Sequence, residues 1–272
     1  MRKEMAVNDI DLAFSPCPND TFLFHAMLHG LVETGDYRFT PHLYDVEELN
    51  IKARKETYHV TKLSFFAYLK LKQHYALLDS GSALGYGCGP LLVAGNDQIN
   101  LEQARIAIPG EWTTANLLLQ LWHPNLKNVE VVRFDKILPG IEQKRFDAGV
   151  IIHEGRFIYQ HHGCHKLVDL GAWWETETGS PIPLGCIAIR KDAPTLAHKQ
   201  NIETMVRKST QYARENRQVS RAFIKEYAQE LDDQVIDGHI DLYVNDFTVS
   251  LGAEGRKAVE TLEEMAKCKN IL

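Results

Sequence analysis

From Ile10 onward, short apolar runs alternate with segments of helical spacing, and that grammar restricts the chain to helices laid over a mostly parallel sheet. Ile10 to Phe14 reads as a strand. It ends in Ser15-Pro16-Cys17-Pro18-Asn19-Asp20, where two prolines preclude a helix and Asp20 is placed to cap one carrying Phe22, Phe24, Met27 and Leu28. Tyr37 to Tyr44 is the next strand, followed by Asp45 and Glu48 in the spacing of a capping box for a helix over Val46 to Lys55. Tyr58 to Leu63 repeats the unit, with Ser64 placed to cap the helix of Phe65, Phe66, Leu69 and Leu71.

Gly81, Gly85, Gly87, Gly89 and Pro90 then interrupt the pattern ahead of the apolar run Leu91 to Ala94, which reads as a crossing between two lobes. A second series follows: strand Arg105 to Ile108, helix Thr113 to Trp122, strand Glu130 to Phe134, helix Ile137 to Gln143 and strand Ala148 to Ile152. Leu184 to Arg190 reads as a return strand closing the second lobe, and helices over Thr195 to Asn216, Arg221 to Gln229 and Glu254 to Lys267 complete the first. The expectation is an α/β, two-lobed fold of the hinge-bending solute-binding kind, with lobe one at 1–93 plus 191–272, lobe two at 94–190 and a ligand in the cleft. A single doubly wound sheet is the rival architecture.

Composition removes several function classes. Thirty basic against 36 acidic side chains give a net charge of −6 without a dense Lys/Arg run, so nucleic acid is not an expected partner. No apolar segment approaches the roughly 20 residues that span a bilayer, so no membrane partner is expected either. Met1 to Asp11 lacks a signal-peptide core, and Cys17, Cys88, Cys164, Cys186 and Cys268 are scattered without a CxxC pair. Reduced thiols and a cytoplasmic location follow as expectations.

In open α/β sheets ligands sit beyond the carboxyl ends of strands, which singles out Ser15 with Asn19 and Asp20, Lys62 with Ser64, Thr113 with Thr114, and His153. His153 follows Gly149-Val150-Ile151-Ile152, and a histidine there can serve as general acid or base; the plainer alternative is a ring bonded to a loop carbonyl. Thr113 and Thr114 follow Pro109-Gly110 at a helix start, where amides and the positive dipole end favour a carboxylate or phosphate, although one threonine could merely cap the helix. Lys62 adds a cation beside Ser64, or is a solvated edge lysine.

Other clusters point less far. His161-His162-Gly163-Cys164-His165 has zinc-type ligands but no standard spacing, so a surface turn is expected and no metal site. His25 and His29 stand one turn apart in HAMLH, without the glutamate of a metalloprotease helix. Trp173 and Trp174 could wall an aromatic ligand or pack in a core. No GxGxxG or GxxxxGK[ST] supports nucleotide binding.

SPCPNDTF at Ser15 to Phe22, VTKLSF at Val60 to Phe65, PGEWTTA at Pro109 to Ala115 and IIHEGRF at Ile151 to Phe157 together resemble the 1,4-dihydroxy-6-naphthoate synthase family. The resemblance runs through both lobes. It implies a periplasmic-binding-protein-like fold without export and a place in the futalosine route to menaquinone. The implied reaction is a carbon–carbon lyase step, splitting cyclic dehypoxanthine futalosine into 1,4-dihydroxy-6-naphthoate and a sugar fragment with no cofactor. By the same resemblance His153 is the base, and Lys62-Leu63-Ser64 and Thr113-Thr114 line a small carboxylated substrate. A non-catalytic receptor of the same fold and a chorismate-dehydratase-like sister enzyme are the alternatives.

Overall fold

The computed structural model describes residues 8–229 and 231–272; most of the amino-terminal segment Met1 to Asp11, and with it the start of lobe one, lies outside the described residues. The first stretch carries β1 (Asn8–Phe14), α1 (Pro18–Leu28), β2 (Tyr37–Leu43), α2 (Val46–Ala53), β3 (Val60–Ser64), α3 (Phe65–Leu71), β4 (Tyr75–Leu77) and β5 (Ala83–Gly85). The second carries β6 (Leu91–Ala94), β7 (Ile106–Ile108), α4 (Thr114–Trp122), β8 (Val129–Val131), α5 (Ile137–Glu142), β9 (Ala148–Ile151), α6 (Gly155–Ile158), β10 (His165–Asp169) and α7 (Leu170–Thr178). The chain then runs through β11 (Ile182–Arg190) into α8 (Ala193–Leu196), α9 (Lys199–Glu215), α10 (Arg221–Tyr227), α11 (Asp233–Tyr243), α12 (Asp246–Val249) and α13 (Gly252–Cys268).

Two sheets result, one per lobe: β2-β1-β3-β11-β4, with β5 also on β11, and β10-β6-β9-β7-β8. Neither is mostly parallel. β1 lies parallel to β2 and β3, and β7 parallel to β8 and β9, but β11 and β6 run antiparallel to their neighbours. The reason is direction of entry. Parallel strands run toward the cleft and return through helices, whereas a strand that has just crossed from the other lobe enters its sheet at the cleft and runs away from it. The same fact corrects two strand placements. Leu91–Ala94 pairs with β9 and β10 in the second sheet, and the return strand at Leu184 to Arg190 pairs with β3, β4 and β5 in the first rather than closing the second.

The helices seal these sheets by burying apolar faces. Ile10, Leu12, Phe24 and Met27 pack with Ile202, Met205 and Val206, so that β1 is covered by the adjacent α1 and by α9 from almost 200 residues further along the chain. A different cluster ignores the division into lobes: Leu63, Phe65 and Leu84 pack in one continuous apolar body with Leu92, Ile106, Leu117, Val150 and Trp174. Each fully buried side chain of this kind contributes about 1.5–3 kcal/mol, so the lobes are joined by a seam as well as by two chain crossings. At the first crossing, Gly89 lies against Gly171 so closely that a Cβ on Gly89 would come within 2.2 Å of the Gly171 Cα. The Arg156 guanidinium holds that contact by donating to the Gly89 carbonyl and to Asp169, each at 2.6 Å.

The helix expected over Thr195 to Asn216 is two pieces, because Asp192 accepts from the Thr195 N–H and starts a separate turn ahead of α9. Glu130 to Phe134 is a strand only through Val131, and Phe134–Lys136 forms a 3-10 turn.

Candidate active site

On the lobe-one wall, β1 delivers Ser15 into the loop of two prolines, and α1 starts at Pro18 with Cys17 as its N-cap residue in extended conformation. Asp20 does not cap this helix, since it lies inside the first turn with its carboxylate turned back. It is fully buried and accepts from the Ser15 N–H at 3.2 Å, the Ser15 hydroxyl at 2.7 Å, Asn19 Nδ2 at 2.7 Å and Lys62 Nζ at 2.5 Å. Lys62 is itself only 5% exposed. Burying these charges is tolerable because they are paired and every carboxylate oxygen is used.

Alternation along β3 places Lys62 and Ser64 at the cleft and turns Leu63 to the opposite face, where it joins the apolar seam instead of lining a site. Gly185 sits opposite Ser64 on β11, where a Cβ would come within 2.9 Å of Lys62 Cε, so glycine leaves the lysine its path. Ser64 occupies the N-cap position of α3 without capping it by its side chain, and its hydroxyl instead accepts from Asn50. The Phe66 N–H of that helix is met from the other lobe by Thr114 Oγ1 at 3.2 Å.

The lobe-two wall begins at α4. Thr113 caps it, accepting from the Asn116 N–H, and donates to the Gly110 carbonyl; Thr114 donates to the Leu184 carbonyl at 2.7 Å. Both hydroxyls are thus engaged. What the helix start still offers is the first-turn amides of Thr114 and Ala115, which have no intrahelical acceptor. The Trp112 N–H just ahead is taken by the Glu47 carboxylate of lobe one, whose pKa burial pushes up against the pull of its Asn50 and Trp112 hydrogen bonds.

His153 completes this wall, one residue beyond the strand run that ends in Ile152. Its backbone sits at φ +54°, a left-handed conformation that non-glycine residues keep only where surroundings hold it. The ring is gripped from several directions: Nδ1 lies 3.4 Å from Cys17 Sγ, His239 stacks at 6.1 Å with planes 16° apart, and Phe134 meets it edge-on at 5.1 Å. Nε2 is buried and has no hydrogen-bond partner. Burial lowers the His153 pKa to about 4; Asp20 pulls it back up and Lys62 presses it further down. The ring is therefore neutral at neutral pH.

His239, on α11, is wired into the opposite wall. Because Asn19 Nδ2 donates to Asp20, its Oδ1 accepts from His239 Nε2–H at 2.9 Å, and burial holds the His239 pKa well below its ordinary value. Lys62, Asp20, Asn19 and His239 form one continuous polar chain ending against His153.

Between the walls lies a cavity of about 650 Å³, part of it open to solvent. Ser15, Asn19, Lys62, Ser64, Thr113, Thr114 and His153 line it, so residues up to 138 positions apart converge as the strand-end argument expects. Asp20 lies beneath the wall, behind Lys62 and Ser15. Cys88, Gly185 and Tyr243 also line the cavity without having been singled out, and His239 and Cys17 stand just behind it. Cys17 was legible within SPCPND; His239 and Tyr243 carried no local signal, since only the packing of α11 on α1 brings them here.

The remaining clusters make contacts within the protein. His162 pairs with Glu142 at 2.9 Å, Cys164 is buried with its thiol toward the His162 carbonyl, and His29 Nδ1 donates to the His25 carbonyl. Trp174 is fully buried and donates to the Pro181 carbonyl. Among the described residues no helix is long and apolar enough to cross a membrane.

Two mixed α/β sheets facing each other across a ligand-sized cavity, with polar residues of both at its walls, define a two-lobed protein of the periplasmic-binding-protein type. Known structures agree. The ligand-binding component of an ABC-type import system from Staphylococcus aureus superposes with a TM-score of 0.71 at 12% identity, covering 97% of this chain and 93% of that one. An alkanesulfonate-binding protein from Xanthomonas axonopodis pv. citri gives 0.70 at 13% identity, over 98% and 96%. A crystallised Archaeoglobus fulgidus protein is far nearer, with a TM-score of 0.91 and 35% identity over 97% of this chain and 98% of its own.

Sequence relatives narrow the class to a family. Residues 10–268 match the family described as menaquinone biosynthesis. A Thermus thermophilus protein named 1,4-dihydroxy-6-naphtoate synthase is 44% identical over 96% of this chain and 94% of its own length; a Streptomyces coelicolor protein of the same name is 38% identical over 98% and 96%. The chain belongs to the menaquinone biosynthesis family, and it is an enzyme of that family.

Proposed function

We propose that this chain catalyses the carbon–carbon lyase step that converts cyclic dehypoxanthine futalosine to 1,4-dihydroxy-6-naphthoate and a sugar fragment, with His153 as general base. The observation that carries the reading is a neutral imidazole on the cavity wall whose Nε2 has no partner in the protein, facing a second wall that supplies donors. A substrate carboxylate suits the free amides of Thr114 and Ala115 at the start of α4, with Lys62 as the nearby cation. Ser15, Asn19 and Ser64 supply further polar contacts, Leu63 acts only as packing behind β3, and Asp20 holds Lys62 and Ser15 in place.

A base whose pKa is near 4 in the empty site is weak, but a bound anion adds the charge that favours the imidazolium and raises it. Formation of an aromatic product supplies driving force, so positioning, proton transfer and stabilisation of developing negative oxygen are what the protein contributes. The reading needs no metal or redox cofactor. It places the protein in the cytoplasm, which five unpaired cysteines support. It also divides the lobes where the sheets divide, with the crossings near Gly89 and Gly179.

His153→Asn tests the assignment. Turnover of the cyclic futalosine derivative, followed by the naphthoate chromophore, is expected to fall by about 10²–10⁴-fold with binding changed little. Near-normal kcat in that variant overturns the base role. Product from chorismate would favour the sister reading, and binding without turnover in the unaltered protein would favour the receptor.

A further inference from the structure

His153 belongs to the second lobe and Cys17 to the first, so their contact at 3.4 Å spans the cleft. A neutral imidazole carries one proton, and the ring can face its neighbours in two ways. If the thiol donates to Nδ1, the proton sits on Nε2 and that nitrogen can take nothing from a ligand. If Nδ1–H donates to Sγ, Nε2 presents a lone pair. Only the second arrangement is a base.

The surroundings favour it. Nε2 is buried with no acceptor in reach, so a proton there would be an orphaned donor, the rarer and costlier kind of unsatisfied group. His239 does not supply that acceptor: with its Nε2–H given to Asn19 its Nδ1 carries a lone pair, but neither that atom nor His153 Nε2 has a hydrogen-bond partner, so the two rings are not bonded to each other. The ring cannot readily swing to find another neighbour, because His239 and Phe134 confine it and the backbone is already held at φ +54°. The groups facing His153 are Cys17 at the N-cap of α1 and Asp20 in its first turn, Lys62 on β3, His239 on α11 and Phe134 of the second lobe, with Glu154 next in sequence. Among them, Cys17 Sγ is the atom within hydrogen-bond distance of a ring nitrogen.

We propose that Cys17 is a positioning residue for the base: its sulfur accepts the Nδ1 proton of His153 across the cleft and so fixes the tautomer that leaves a bare lone pair on Nε2. This rests on His153 being the base. Sulfur is a weak acceptor, so it sets the proton's place without making the ring much more basic. Oxygen in the same position would do both.

Long-range ¹⁵N–¹H NMR of the full chain reads the tautomer without reference to turnover. The unaltered protein is expected to show His153 protonated on Nδ1, and Cys17→Ala to show a mixture or the Nε2–H form; Nε2–H in the unaltered protein overturns the proposal. Kinetics give a second reading. Cys17→Ala should lower kcat about tenfold with KM within twofold, and Cys17→Ser should restore most of it. The acid limb of the pH profile should move in the order Ala below Cys below Ser, because a better acceptor at Nδ1 favours the imidazolium. The reverse order would mean that residue 17 donates to the ring, and an unchanged limb would mean that it does not act on it; either result overturns the proposal. His153→Asn, assayed alongside, reports separately on the base. Near-normal turnover there sinks the base assignment while the NMR result on the tautomer stands on its own.

Discussion

The two walls of the cleft are built on opposite principles. The lobe-one wall is close to a finished polar structure: the four polar groups around Asp20 satisfy it, and Asn19 passes the chain on to His239, where Nδ1 is left over. The lobe-two wall is unfinished. Its helix start leaves first-turn amides without intrahelical acceptors, and its histidine sits in a left-handed backbone conformation with a bare nitrogen. Fully paired groups resist change, while unpaired ones await a ligand, so the first wall holds and the second reacts.

The contrast breaks most visibly at Lys62. Lys62→Met removes one partner of a buried ion pair and strands the Asp20 carboxylate, which should cost about 3–5 kcal/mol in denaturant unfolding. Adding Asp20→Asn to the same variant should recover much of that loss. If Lys62→Met alone is neutral, the lobe-one wall is not the rigid one.

The second wall is probed by pH. The folded His153 pKa near 4 lies below the ordinary 6.5, so between these values the unfolded chain binds a proton that the folded chain refuses. Stability is full above pH 6.5 and falls as pH drops toward 4, by roughly 3 kcal/mol from this ring. Unfolding midpoints followed over that window should therefore decline less steeply in His153→Asn than in the unaltered protein; parallel curves would show that the ring is not held neutral by burial.

The smallest effects separate the neighbouring threonines. Thr114→Val loses bonds to Phe66 N–H and the Leu184 carbonyl, both in the other lobe, and should cost about 1–3 kcal/mol. Thr113→Val loses a cap within its own lobe, worth about 1 kcal/mol. Equal losses would remove the distinction between a bond across the cleft and one along a single wall.

Much of this was legible in the chain itself. Strand-end placement brought Ser15, Lys62, Thr113, Thr114 and His153 to one cavity because the carboxyl ends of parallel strands converge whatever the lobe. Local capping rules held at Asp45 and Thr113 and failed at Asp20 and Ser64. The failures have different causes: at Ser64 a distant side chain, Asn50, takes the hydroxyl from the local amide, whereas Asp20 lies inside a helix that already starts at Pro18 and turns its carboxylate back to Ser15 and out to Lys62. Leu63 stands between two cavity residues in sequence, but the period of two in a strand turns it away from them. Strand direction escapes the sequence for the same kind of reason. Leu91 to Ala94 and Leu184 to Arg190 look like any buried strand, and only the route of the crossing fixes which sheet receives them.

The apolar seam that joins Leu63, Phe65 and Leu84 to Leu92, Val150 and Trp174 means that neither half is a module. Cut apart, each would present an oily flank to water and draw its neighbours into aggregates. A lineage carrying this arrangement can therefore exchange the rims of its cleft far more freely than it can exchange a lobe.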